Sequence, residues 1–363
     1  MSHPFRVLIV DDSALMRQLL TEILSSSPEL EVIGAASDPF IAREKIKLLN
    51  PDILTLDVEM PRMDGITFLE KLMRGHPMPV VMISSLTDKG AEITLKALSM
   101  GAIDYISKPK VDVSNGTIEQ ADEIIAKVIA AAKVKVRGSN MPKLKPAELA
   151  APGCRITATH KVVAVGASTG GTEALKEFLS PLPADFPGIV IVQHMPEAFT
   201  RQFAERLDSL CRIRVKEARD GERILPGHAL LAPGGSHMSV VRRGMEYAVH
   251  VYQGERVNRH IPSVDVLFSS CAKELGGNAL GVLLTGMGAD GARGMLEMKQ
   301  AGAFTFAEDE STCVVFGMPR AAIQLGAVDQ VLPLHKIPAA LVHRFAGAIE
   351  KKIMRDASTV APT

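Results

Sequence analysis

Ser168 ends the apolar run KVVAVGAS (161–168), inside Gly166-x-Ser168-x-Gly170, and a helical stretch, TEALKEFL (172–179), follows it. Small flanking residues permit the sharp strand-to-helix turn that exposes a nucleophilic hydroxyl, and amides at the start of the helix can stabilise an oxyanion. A Gly-Ser-Thr-Gly loop at a helix start binds phosphate equally well. Partners bear on that choice. His194 ends the run PGIVIVQH (187–194), and Asp290 lies in TGMGADGARG just past ALGVLLTG (279–286). A serine needs an adjacent base to lose its proton, and the base needs a carboxylate to fix its tautomer and stabilise the imidazolium. His237, in APGGSHM, also follows a strand run and is a rival base.

A second cluster lies upstream. Asp11 and Asp12 follow RVLIV (6–10), and Asp57 follows ILTL (53–56), which places three carboxylates at strand ends, the edge where open parallel sheets build their sites. Crowded carboxylates repel one another unless a hard cation such as Mg2+ joins them. Each alone would be an ordinary acidic turn residue. Ser84, ending PVVMIS (79–84), and Lys108, following DYIS (104–107), add a hydroxyl and a cation. Together they make a pocket suited to phosphorylating a carboxylate.

A third pattern competes. Gly286-x-Gly288-x-x-Gly291 spells a dinucleotide fingerprint after a strand, with Glu308 or Asp309 near the distance of a ribose ligand, and would imply a nicotinamide-dependent oxidoreductase. Its strand comes late in the domain, whereas such folds use the first. The order Ser, His, Asp also differs from the Ser, Asp, His of α/β-hydrolases, which disfavours that family.

These residues need elements to position them. Short Val/Ile/Leu-rich runs at 6–10, 31–36, 53–56, 79–84 and 104–107 alternate with helical segments, which means a parallel sheet covered by helices. In 13–26, Ser13 is an N-cap type, and Leu15, Leu19 and Ile23 lie on one face of the expected helix. A last helix spans 118–136. Segment 137–158 is rich in Pro and lacks an apolar period, so it reads as a linker, and the tail 352–363 reads as frayed. The alternation resumes at 161–168, 187–194, 228–233, 279–286 and 303–308, with an antiparallel hairpin over 238–252. The expected architecture is α/β: two doubly wound, mostly parallel-sheet domains, the first flavodoxin-like and the second Rossmann-like, joined by a linker. Their bounds are 4–125, with the last helix continuing to about 136, and 159–350.

Composition narrows the class. At 363 residues two cores are expected, and 41 basic residues balance 41 acidic ones, leaving no net field to attract nucleic acid or an anionic membrane. The absence of Trp argues against a base-stacking surface, and the 17 methionines read as core filling. Cys154, Cys211, Cys271 and Cys313 have no metal-binding spacing and read as reduced thiols. Acidic residues interrupt the N-terminal apolar run, and no run reaches a membrane span, so a cytoplasmic protein without membrane insertion is expected.

The paired acids, Asp57, Ser84 and the Lys108-Pro109 pair resemble the receiver domain of two-component response regulators. That resemblance implies a phosphoryl group accepted by Asp57 from a histidine kinase. It implies Mg2+ held by Asp11, Asp12, Asp57 and the backbone carbonyl of Glu59, phosphoryl contacts from Ser84 and Lys108, and a switch role for Tyr105. VVAVGASTGG, IVQHMP, LAPGGSHM and LLTGMGADGARGM are together similar to the catalytic domain of the chemotaxis protein-glutamate methylesterases, over about 160–350. This resemblance implies catalysis by Ser168, His194 and Asp290, which decides against His237, and oxyanion donation by the amides of Thr169 and Met287. It implies hydrolysis of glutamate γ-methyl esters on methyl-accepting chemotaxis receptors, deamidation of receptor glutamines, no cofactor for the esterase reaction, and activation when phosphorylation relieves coverage of the crevice by the receiver. An inactive receptor-binding adaptor, with Ser168 as a helix cap, is the competing reading.

Overall fold

In a computed structural model of the chain, which describes residues 3–85, 87–108, 117–134 and 160–345, the two stretches of alternating apolar runs form two units, Met1–Met141 and Pro142–Thr363. The first runs β1 (Phe5–Val10), α1 (Ala14–Ser25), β2 (Leu30–Ala36), α2 (Pro39–Leu49), β3 (Ile53–Asp57), α3 (Gly65–Gly75), β4 (Val80–Ser84), α4 (Asp88–Ser99), β5 (Asp104–Ser107) and α5 (Thr117–Ala132). Its sheet has the order β2-β1-β3-β4-β5, with every neighbouring pair parallel. Val10 lies beside Leu56 in the β1–β3 register, so Asp11, Asp12 and Asp57 emerge together at one carboxyl edge.

Ser13 does cap α1, its hydroxyl accepting the Met16 amide at 3.3 Å. The buried face differs from the expected one. Met16, Leu20 and Leu24 enter the core against Val7 and Ile9, whereas Leu15 is 56% exposed and Leu19 and Ile23 are half-buried. ALMRQLLTEIL carries two adjacent apolar stripes one residue apart, and only contact with the sheet selects between them. Helix α5 stops at Ala132, short of the expected 136, where β-branched Val begins to alternate with Lys. The linker 137–158 and the tail 352–363 lie outside the described residues.

The second unit runs β6 (Val162–Ala167), α6 (Gly171–Leu179), β7 (Gly188–Gln193), α7 (Glu197–Leu210), β8 (Arg214–Glu217), β9 (His228–Leu231), β10 (His237–Arg243), β11 (Glu246–Tyr252), α8 (Val264–Leu275), β12 (Ala279–Leu283), α9 (Ala292–Gln300), β13 (Phe304–Glu308), α10 (Met318–Gln324) and β14 (Gln330–Leu332). Seven strands form a parallel sheet of order β14-β13-β12-β6-β7-β9-β8, and β10–β11 is the expected antiparallel hairpin. The first strand of the unit, β6, sits centrally, and the chain proceeds to β7 on one side and β12 on the other. That reversal opens a crevice at the strand ends. Strands β6, β7 and β12 are fully buried apolar runs, and Val264, Leu267, Phe268, Met295, Met298 and Met318 pack beneath them in one core. Three of those are methionines, in the core-filling role expected.

Candidate functional site

Ser168 follows β6, His194 follows β7 and Asp290 lies beyond β12, so three neighbouring strands deliver three side chains to one crevice. Their atoms meet. Ser168 Oγ lies 3.1 Å from His194 Nδ1, and His194 Nε2 lies 2.8 Å from Asp290 Oδ2. Asp290 is buried and ionised, hence acceptor-only, so the His194 proton sits on Nε2 and Nδ1 is left to accept the Ser168 hydroxyl. This uses the imidazole the other way round from chymotrypsin, where Nε2 faces the serine.

Protein donors surround Asp290. Its Oδ2 also accepts the Val264 amide at 2.7 Å, and its Oδ1 accepts Asn258 Nδ2 at 2.7 Å, Ser263 Oγ at 2.8 Å and the Asp265 amide at 3.2 Å. Burial pushes this carboxyl upward, but the hydrogen bond and charge of His194, with Asn258 and Val264, outweigh it and hold Asp290 well below the usual carboxylate range. Asn258 extends the chain, donating to Asp265 Oδ2 as well, at 2.7 Å. On the other face of His194, the His260 ring stacks 3.7 Å away and 12° from parallel.

The turn that carries Ser168 is held on both sides. The Ser168 amide donates to the Thr285 carbonyl at 3.0 Å, and Gln193 Nε2 donates to the Ser168 carbonyl at 2.9 Å. Gly170 takes φ 77°, and a Cβ there would lie 2.4 Å from Val314 Cβ. Only glycine fits both constraints. The Ser168 amide is thereby engaged within the turn.

His237, the rival base, is elsewhere and fully occupied. Its Nδ1 accepts the Ser263 amide at 3.3 Å and its Nε2 faces the Glu255 carbonyl at 2.8 Å, so it braces the segment that carries Asn258 and Ser263. The dinucleotide reading also fails on geometry. Glu308 is fully buried with Oε2 on the Thr285 amide at 2.8 Å, out of reach of a ribose, Asp309 Oδ1 is taken up by the Ser311 amide at 2.9 Å and hydroxyl at 2.5 Å, and the glycine loop carries Asp290 to His194. Asn258, His260, Ser263 and Gln193 were not singled out from sequence; the Ser263 N-cap type just before an apolar helical stretch was the one available signal.

In the first unit, one carboxylate oxygen from each of Asp11, Asp12 and Asp57 falls within 4.8 Å of the others. Asp11 Oδ2 is buried without a hydrogen-bond partner among the described residues, and burial together with Asp57 pushes the Asp11 carboxyl up to about 6. An all-oxygen, partly unsatisfied set of this kind fits a hard divalent cation. Lys108 Nζ reaches Asp57 at 2.9 Å. Burial works against that ammonium, but its hydrogen bond to Asp57 and the charge there raise it above its ordinary value. Burial likewise raises Asp57, with Lys108 opposing. The Glu59 amide donates to Asp57 Oδ1 at 3.3 Å.

Ser84 lies at the same edge but is engaged elsewhere. Its hydroxyl accepts Thr94 Oγ1 at 2.7 Å and faces the Gly90 carbonyl at 3.3 Å, both on α4. Tyr105 is buried, with Lys127 Nζ 3.0 Å from its carbonyl and 5.1 Å above its ring. Cys211, Cys271 and Cys313 are free thiols, and Cys154 lies outside the described residues. Among the described residues no helix is long and apolar enough to cross a membrane.

The family model for CheB methylesterase matches residues 163–341, and that for the response regulator receiver domain matches residues 7–116. The protein-glutamate methylesterase/protein-glutamine glutaminase 1 of Geobacter metallireducens is 58% identical over 347 residues, covering 94% of this chain and 96% of the relative. The protein-glutamate methylesterase/protein-glutamine glutaminase of Thiobacillus denitrificans is 56% identical over 353 residues, 95% of this chain and 98% of the relative. The crystal structure of the Thermotoga maritima CheB methylesterase catalytic domain superposes with a TM-score of 0.50 at 41% identity, covering 51% of this chain and 98% of that one. With a receiver domain ahead of a hydrolase domain whose crevice joins Ser168, His194 and Asp290, this chain belongs to the CheB methylesterase family.

Proposed function

We propose that the chain is a phosphorylation-controlled protein-glutamate methylesterase of the cytoplasm, acting on the γ-methyl esters of methyl-accepting chemotaxis receptors. The observation that carries this reading is the continuous Ser168–His194–Asp290 relay, 3.1 and 2.8 Å between partners. His194 Nδ1 takes the Ser168 proton as Oγ attacks the ester carbonyl, and Asp290 stabilises the imidazolium that forms. The amides of Thr169 and Met287 receive the oxyanion, each lowering the barrier by roughly 3 kcal/mol. His194 returns its proton to the departing methoxide, so methanol leaves. Water, deprotonated by His194, then opens the acyl-enzyme and frees the receptor glutamate. A glutamine side chain offers the same carbonyl with a poorer leaving group, which supports deamidation at the same residues.

Control resides at Asp57, whose carboxylate attacks the phosphoryl group carried by a histidine kinase. Asp11, Asp12 and Asp57, with the Glu59 carbonyl, would hold Mg2+, which neutralises charge on the phosphoryl oxygens. Lys108 stays on the phosphorylated side chain as a counter-charge, and Ser84 exchanges Thr94 for a phosphoryl oxygen while Tyr105 changes its packing. The test is methanol release from receptor membranes carrying radiolabelled methyl esters. Wild type is expected to release label and Ser168→Ala to lose about 10⁴-fold or more of the rate. Equal release by the two would favour the adaptor reading, with another protein supplying the activity.

A further inference from the structure

Glu308 takes no part in the relay, yet it is fully buried at the end of β13. Its Oε2 accepts the Thr285 amide at 2.8 Å, and its Oε1 is buried with no hydrogen-bond partner among the described residues. The neighbouring Thr312 hydroxyl does not satisfy it, since that group faces the Asp309 carbonyl at 3.3 Å and accepts the Leu334 amide at 3.0 Å. A buried, half-satisfied carboxyl is costly where an apolar residue would pack, so its place calls for a role.

Thr285 is the hub of the nucleophile's turn. Its carbonyl accepts the Ser168 amide at 3.0 Å, its hydroxyl donates to the Thr169 carbonyl at 3.0 Å, and the same hydroxyl accepts the Val315 amide at 2.9 Å. Gly286 continues the lattice, donating to the Val315 carbonyl at 3.0 Å and accepting the Gly317 and Met318 amides at 3.1 and 2.9 Å. Met287 is the next residue. We infer that Glu308 is a positioning residue for the esterase, anchoring the Thr285 amide so that Thr285 fixes the Ser168–Thr169 turn and its spacing from Met287. This rests on the serine-esterase reading. Burial pushes the Glu308 carboxyl up to about 7 against the pull of the Thr285 amide, with Glu177 of α6 raising it further and Cys313 and Thr312 of the following loop beside it. Neutral or ionised, it offers Thr285 an acceptor, and so would a glutamine.

The test compares Glu308→Ala, Glu308→Gln and Thr285→Val in the full chain, with two readouts. In methanol release, Glu308→Ala is expected to lower kcat about 10- to 100-fold with KM within about threefold, the signature of a displaced nucleophile. Glu308→Gln restores kcat to within about threefold of wild type, and Thr285→Val, which keeps the amide and loses the hydroxyl, lowers kcat about tenfold. In hydrogen exchange, the peptide covering Ser168–Gly171 opens about tenfold faster in Glu308→Ala and as slowly as wild type in Glu308→Gln. Unchanged kcat and unchanged exchange in Glu308→Ala would overturn the inference. If that variant does not fold, unchanged kcat and unchanged exchange in Glu308→Leu, which removes the acceptor but keeps most of the volume, would do so. Absence of methanol release by wild type would sink the esterase reading instead, and the exchange readout would still decide the role of Glu308.

Discussion

Asp290 keeps a full charge in a nearly closed site because backbone and side-chain donors replace its water, and the relay depends on that replacement. Asp290→Asn should lose on the order of 10⁴ in kcat, since the amide favours the wrong imidazole tautomer. Its lowered value also makes a stability statement. The contribution of Asp290 is full above the ordinary carboxylate value of 3.8 and is lost as pH falls below it. The gap in denaturant midpoint between wild type and Asp290→Asn should therefore shrink between neutral and strongly acidic pH; a constant gap would contradict it. Glu308 has the opposite sign. Raised from 4.5 to about 7, it stabilises the fold fully below its unfolded value, and that stability drains away as pH rises through about 7. Glu308→Gln should be the less pH-sensitive protein, by on the order of 3 kcal/mol across that window, and identical pH profiles of stability would refute the assignment. At this scale the sequence was legible where a polar residue follows an apolar strand, as at Ser168, His194 and Asp57. Asn258 and Ser263 carry no such mark, because they lie in an irregular segment between a hairpin and a helix, and Gln193, which does end an apolar strand, is overshadowed by His194 beside it.

Elements with two buried faces were the readable ones. The runs that became β1, β3, β4, β6, β7 and β12 are continuous and apolar, so their ends, and the candidate site residues at or just past those ends, could be placed from pattern alone. Strands β8 and β14 were not anticipated. RVKE and QVL lie at the two edges of the sheet, are short, and are largely exposed, as edge strands are. The face of α1 was displaced by one residue for a related reason, since stripe choice there is tertiary. Leu20→Ala should cost about 2–5 kcal/mol of stability, and Leu15→Ala less than about 0.5 kcal/mol, by chemical denaturation. The reverse ranking would mean that the helix is rotated on its sheet. Segment 253–263 had a role the pattern did not reveal, because it brings Asn258, His260 and Ser263 to the relay without any periodicity.

At the scale of the molecule, two α/β units with unrelated motifs place chemistry at the same feature of their folds, the carboxyl edge of a parallel sheet. One edge gathers Asp11, Asp12, Asp57 and Lys108; the other gathers Ser168, His194 and Asp290. The shared class was legible from the alternation of strands and helices, and the difference in chemistry from the residues that end the strands. The proposed control of one unit's rate by a phosphoryl group on the other leaves no mark in either motif. The account therefore stands or falls on methanol release from methylated receptors by wild type and Asp57→Asn, each with and without acetyl phosphate and Mg2+. Acetyl phosphate should raise release by wild type and leave Asp57→Asn at its basal rate. Equal stimulation of both proteins, or of neither while Asp57 is shown to be phosphorylated, would contradict it.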